Sequence, residues 1–122
     1  MTTKYIASEA AEQRALFQWA AIFEGKHPEI TLLHHVPNGG KRDKVTAALL
    51  KAEGVKSGVP DLCLPVARGG YHGLYIEMKA GKNKLSVNQE IWLKQLTLQG
   101  YYTAVCYGWH EAAEVITNYL KK

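Results

Sequence analysis

Apolar residues recur along residues 8–24, SEAAEQRALFQWAAIFE, at the spacing of one helix face: Leu16, Trp19, Ala20 and Phe23 fall on a single stripe. Ser8 stands where an N-cap belongs and Gly25 where the helix should stop. His27-Pro28 then breaks the pattern. Residues 30–37, ITLLHHVP, read as a short apolar strand that runs into the turn PNGG. VTAALLKAEG (45–54) predicts a second helix, ended by Gly54. VPDLCLPV (59–66) and GLYIEMK (73–79) are two apolar runs joined by RGGYHG, the grammar of a hairpin. SVNQEIWLKQLTLQG (86–100) predicts a third helix, with Ile91, Leu96 and Leu98 among its apolar positions. YYTAVCYG (101–108) reads as a strand and HEAAEVITNYLKK (110–122) as a closing helix. The order α-β-α-β-β-α-β-α predicts an α/β fold: a central mixed sheet flanked by helices.

Length and composition narrow the picture. The chain has 122 residues, enough for one domain spanning 1–122. With 47% apolar and 21% charged residues it has the balance of a globular protein. No apolar run approaches the roughly 18 residues needed to span a bilayer. The N-terminus lacks the basic, apolar, small-residue order of a secretory signal, so a cytoplasmic location is expected. Cys63 and Cys106 each sit in a strand-like run without CxxC spacing and read as small core residues. The net charge of +4 suits a polyanionic partner without requiring one.

Charge intrudes on the apolar pattern where the hairpin begins and ends. Asp61 lies near the start of its first strand, Glu77 and Lys79 near the end of its second, and in a hairpin these ends are neighbours. Strand alternation points Glu77 and Lys79 the same way and Met78 the other, into the core. Two carboxylates on one face suit a hard cation such as Mg2+, with the Met78 backbone carbonyl as a further oxygen. Such a cation lowers the pKa of a bound water and neutralises phosphate charge, and a lysine beside it orients that water. These are the parts that phosphodiester hydrolysis needs. The plainer reading is a surface ion pair, worth little. The apolar surroundings weigh against it, because a charge without compensation is costly there.

Pro60-Asp61, a gap, then Glu77-Met78-Lys79 resembles the PD-(D/E)XK nuclease signature. The ordered blocks HHVPNGG, GVKSGVPDLCLP, GLYIEMK, SVNQEIW and GYYTAVCYG resemble its VRR-Nuc branch, over about residues 8–120, in the stand-alone bacterial or phage form. The namesake Val-Arg-Arg is replaced by Val55-Lys56-Ser57. The resemblance implies a restriction-endonuclease-like fold and a Mg2+- or Mn2+-dependent endonuclease without an organic cofactor. It implies that Asp61 and Glu77 ligate metal, that Lys79 is the catalytic lysine, and that Gln89 lies near the metal. Gln89 also completes an S-x-x-Q capping box with Ser86, and the two roles are compatible. A glutamate from the first helix often completes such sites. Glu12, a turn before Leu16, is the first choice as catalytic and metal-binding residue, and Glu9 the second. Small members of this type are expected to act as homodimers on branched DNA such as four-way (Holliday) junctions.

Backbone phosphates would meet the basic turn PNGGKRDK through Asn38, Gly39, Lys41, Arg42 and Lys44, with Lys56, Lys82 and Lys84 as further contacts. His34 and His35 read as structural, since no partner stands at zinc-ligand spacing. Trp19, Trp92 and Trp109 fit core or interface equally. Two rival functions stay open: a module of the same fold that grips nucleic acid without cutting, and an RNA nuclease.

Overall fold

The computed structural model describes residues 8–37 and 43–122. Helix α1 (Glu9–Phe23) starts at Ser8, whose hydroxyl accepts the Ala11 N–H at 3.1 Å. Its inner stripe buries Leu16 and Ala20, and Trp19 stacks on Phe23 at 4.7 Å beside them. The segment expected to be a strand over 30–37 instead begins inside a 3-10 turn, Pro28–Leu32, and is extended only in a two-residue strand β1 (His34–His35). Proline at the turn's first position is already set for helical φ, and Thr31 Oγ1 donates to the Pro28 carbonyl at 2.9 Å. Ile30 and Leu33 reach the core from this turn, so the segment buries its apolar side chains without an extended backbone.

Helix α2 (Lys44–Ala52) is capped by Asp43, which accepts the Thr46 N–H at 2.8 Å, and none of its residues is buried. Strands β2 (Leu62–Leu64) and β3 (Leu74–Lys79) form the expected antiparallel hairpin, with Leu62 opposite Ile76 and Leu64 opposite Leu74. Helix α3 (Val87–Leu98) opens with the Ser86–Gln89 capping box and leads to β4 (Tyr102–Tyr107), parallel to β3. Helix α4 (Trp109–Leu120) closes the chain. The sheet order is β1-β2-β3-β4, antiparallel at its first two joints and parallel at the third, which is the mixed α/β architecture expected.

Strand alternation sorts the two sheet faces. Leu62, Leu64, Leu74, Ile76, Met78 and Cys106 join the core that α1 and α4 cover. Each such leucine, isoleucine or methionine side chain stabilises the fold by about 1.5–3 kcal/mol relative to exposure. The opposite face carries Tyr75, Glu77 and Lys79 on β3 and Thr103 on β4. Here α3 packs, and Thr97 Oγ1 meets Thr103 Oγ1 at 2.8 Å. Only a narrow stripe of α3 turns inward, because the face beneath it is partly polar. Trp92, Leu93 and Leu96 are half-buried, while Val87, Ile91 and Leu98 are exposed. Gly58, at φ +93°, brings the connector after α2 so close to α3 that an added Cβ would lie 2.6 Å from the Asn88 backbone. That approach aims Pro60 and Asp61 at the end of β3. Both cysteines are buried and unpaired.

Candidate active site

Asp61 precedes β2 by one residue, where the β2–β3 ladder gives out. Continued past Leu62↔Ile76, the register would set Pro60 opposite Met78. Proline has no N–H to donate to the Met78 carbonyl, so the ladder cannot close there. The Asp61 side chain takes over half of the exchange: the Met78 N–H donates to Asp61 Oδ2 at 2.8 Å. The Asp61 carbonyl is held from the other side by the Val36 N–H at 2.7 Å and by His35 Nδ1 at 2.9 Å. The Pro-Asp pair thus ends a ladder, fixes a carboxylate and leaves the Met78 carbonyl without a ladder donor on the β2 side.

Glu77 and Lys79 leave β3 on the face away from Met78. Both are buried, Glu77 to 2% exposure and Lys79 to 7%, which removes the surface ion pair as a reading. Glu77 Oε2 accepts from Gln89 Nε2 at 3.3 Å, and Glu77 Oε1 has no hydrogen-bond partner among the described residues. Gln89 makes two contacts with one amide. Its oxygen accepts the Ser86 N–H at 2.9 Å to cap α3, and its nitrogen reaches Glu77. From α1, Glu9 Oε1 lies 3.9 Å from Lys79 Nζ. Asp61, Glu77, Lys79, Gln89, Glu9, Gln13 and His35 line one cleft of about 310 Å³.

This fold has a counterpart among known proteins. The VRR-NUC domain model matches residues 5–110. A solved structure described as a VRR_NUC domain protein superposes with a TM-score of 0.82 at 33% identity, covering 96% of this chain and 91% of that one. The chain belongs to the VRR-NUC family. No curated protein matches it.

In this VRR-NUC chain the cleft is lined by Asp61, Glu77, Lys79 and Gln89, but not by Glu12. The Glu12 carboxylate accepts the Trp109 N–H at 2.9 Å. Helix α4 begins at Gly108, which has no side chain to cap it, and Glu12 supplies the missing cap from α1. Glu9, three residues earlier, is the α1 carboxylate that faces the cleft. His35 has the structural role expected of it in its Nδ1 contact with the Asp61 carbonyl, yet its ring also lines the cleft. The doublet His34-His35 at a strand's end was the available signal. Its pairing to a segment 26 residues away was not. Asn38, Gly39, Lys41 and Arg42 lie outside the described residues. Lys44, Lys56, Lys82 and Lys84 are exposed, and none lines the cleft.

The electrostatics of the cleft are set by Glu77. Burial first, then the Asp61 carboxyl beside it, push the Glu77 carboxyl well above the ordinary 4.5, with Lys79 opposing and Glu9 adding to the rise. Among the described residues no group of three His, Cys, Asp or Glu side chains clusters to hold a metal ion. Two carboxylates with an unpartnered buried oxygen nevertheless fit a hard divalent cation of the Mg2+ type, which takes one or two carboxylates and fills its remaining positions with water and phosphate oxygens.

Proposed function

We propose that this protein is a Mg2+- or Mn2+-dependent DNA endonuclease that acts as a homodimer on branched DNA such as four-way junctions. The observation that carries the reading is Glu77: a carboxylate at 2% exposure, one oxygen unpartnered, with Asp61, Lys79 and Gln89 lining the same cleft. A buried, ionised carboxylate with a second ionised carboxylate beside it is unstable without a cation. Asp61, Glu77 and the Met78 carbonyl would hold that cation, and Glu9, in place of Glu12, is the further carboxylate at hand. When bound, the cation neutralises scissile-phosphate charge and lowers the pKa of a coordinated water.

The chain's own side chains do the rest. Lys79 is a buried cation without a carboxylate closer than Glu9 at 3.9 Å among the described residues. It orients the attacking water and offsets negative charge that develops on the phosphate. Gln89 fixes the Glu77 carboxylate through its amide nitrogen while its oxygen anchors it to α3. Water oxygen bonds to phosphorus in line, the P–O3′ bond breaks and the 3′ oxygen takes a proton, leaving a 5′-phosphate and a 3′-hydroxyl. Lys41, Arg42, Lys44, Lys56, Lys82 and Lys84 bind the backbone by charge, and Asn38 and Gly39 offer it N–H donors. A cytoplasmic setting accords with two free, buried thiols.

The test is a panel of labelled four-way junction, linear duplex and single-stranded RNA, each incubated with Mg2+, Mn2+ or chelator. Cutting of the junction with either metal, none with chelator, and no cutting by Lys79→Ala despite retained DNA binding are the expected results. Binding without cleavage in both metals would instead establish a non-cleaving module.

A further inference from the structure

The β3–β4 register sets Tyr107 directly beside Lys79, at the end of the neighbouring strand. Its ring is not core: the residue is 42% exposed. Its hydroxyl donates to the Asn83 carbonyl at 2.8 Å. Asn83 belongs to residues 80–86, the connection that leaves Lys79 and enters α3. That connection is already turned back on itself. The Asn83 N–H donates to the Ala80 carbonyl at 3.2 Å, and Gly81 sits at φ +59°, a conformation other residues rarely adopt. Asn83 is therefore held through both its N–H and its carbonyl. The residues on either side of it, Lys82 and Lys84, are exposed cations.

We propose that Tyr107 is a positioning residue for DNA: its bond to Asn83 fixes the 82–84 segment so that Lys82 and Lys84 meet phosphates next to the one held at Lys79. This rests on the nuclease reading given above. Two lysines on a loose connection must be ordered each time DNA binds, and that ordering subtracts from affinity. Two lysines on a pinned backbone start near their bound positions. The phenol does the pinning from the strand that adjoins the catalytic lysine, so the loop and the cleft move as one body. Phenylalanine at the same position keeps the ring and loses only the hydroxyl.

The test measures binding of a fluorescein-labelled four-way junction across a salt series, in chelator so that nothing is cut. Wild type, Tyr107→Phe, the Lys82→Ala/Lys84→Ala pair and the triple variant are compared, with thermal midpoints recorded for each. The lysine pair is expected to lower the slope of log Kd against log salt by about 1.8, at about 0.9 for each phosphate that is no longer neutralised. Tyr107→Phe alone is expected to lower that slope by part of the same amount without moving the thermal midpoint. In the triple variant it should weaken binding by less than about twofold beyond the lysine pair, because the hydroxyl acts through those two lysines. A Tyr107→Phe protein with the wild-type slope, while the lysine pair lowers it, overturns the proposal. So does a lysine pair whose slope equals wild type while the junction still binds, and both results leave the nuclease reading intact. A wild-type protein that neither binds nor cuts the junction overturns both.

Discussion

Glu77 is a carboxylate held where its charge is least welcome, and that has a measurable consequence. Its carboxyl is pushed above the ordinary 4.5, by burial first and then by the neighbouring Asp61. The folded protein therefore keeps a proton that the unfolded chain releases. The stability this group contributes is complete below about pH 4.5 and is lost as the pH rises from there through the raised folded value. In chelator, the urea midpoint of wild type should fall over that range more than the midpoint of Glu77→Gln, which has no proton to lose. Adding Mg2+ near neutral pH should raise the wild-type midpoint and release protons, since the cation binds the ionised, folded site. Glu77→Gln should show neither response. Parallel pH curves for the two proteins would sink the assignment of Glu77 as the residue that makes the site demand a cation.

Between elements, one carboxylate on α1 faces the cleft and another caps a helix. Glu12 holds the Trp109 N–H at the start of α4, whereas Glu9 lies beside Lys79. Glu12→Ala should cost about 1 kcal/mol in urea unfolding, the worth of a helix cap, and leave Mn2+ affinity by calorimetry unchanged. Glu9→Ala should do the reverse, changing stability by less than about 0.5 kcal/mol and weakening Mn2+ binding. This pair also marks how far the sequence could be read. Helical periodicity puts both glutamates near the stripe of Leu16. Which one reaches the sheet depends on how far α1 slides along α4, and no local pattern encodes that. The hairpin was legible because alternation and the Gly-rich connector are local signals, and with it came Asp61, Glu77 and Lys79. Gln89 was legible twice over, since capping and reaching Glu77 use different atoms of one amide. The stretch over 30–37 misled because its apolar composition fits a strand. Pro28 and the Thr31 back-bond tip it into a 3-10 turn that buries Ile30 and Leu33, three residues apart, and leaves Leu32 exposed. His35 was hidden for a non-local reason, since only the β1–β2 pairing carries its ring to the cleft.

At the scale of the molecule, the site is built but part of the surface is left bare. Among the described residues no helix is long and apolar enough to cross a membrane, so exposed apolar side chains are not explained by a bilayer-spanning segment. Val45 and Leu49, one turn apart on α2, are 71% and 59% exposed, and Val87 and Ile91, one turn apart on α3, are 72% and 52%. Helix α2 has nine residues and buries none of them. A helix that short is marginal in water unless an apolar face packs against something. In the proposed homodimer a second copy of the chain would supply that cover symmetrically, and pairing on a branched substrate would set two clefts against opposed strands. Sedimentation of the wild type should therefore give a dimer, and Val45→Glu/Leu49→Glu a monomer. Neither position belongs to the core, so the fold outside α2 and the response of Glu77 to Mg2+ should persist. The monomer should still nick a junction on one strand, but paired cuts on opposed strands should fall by at least tenfold, the equivalent of about 1.4 kcal/mol in effective pairing. A wild-type monomer at concentrations where junctions are resolved would show that α2 is covered by DNA or not at all, and that the cleft works alone.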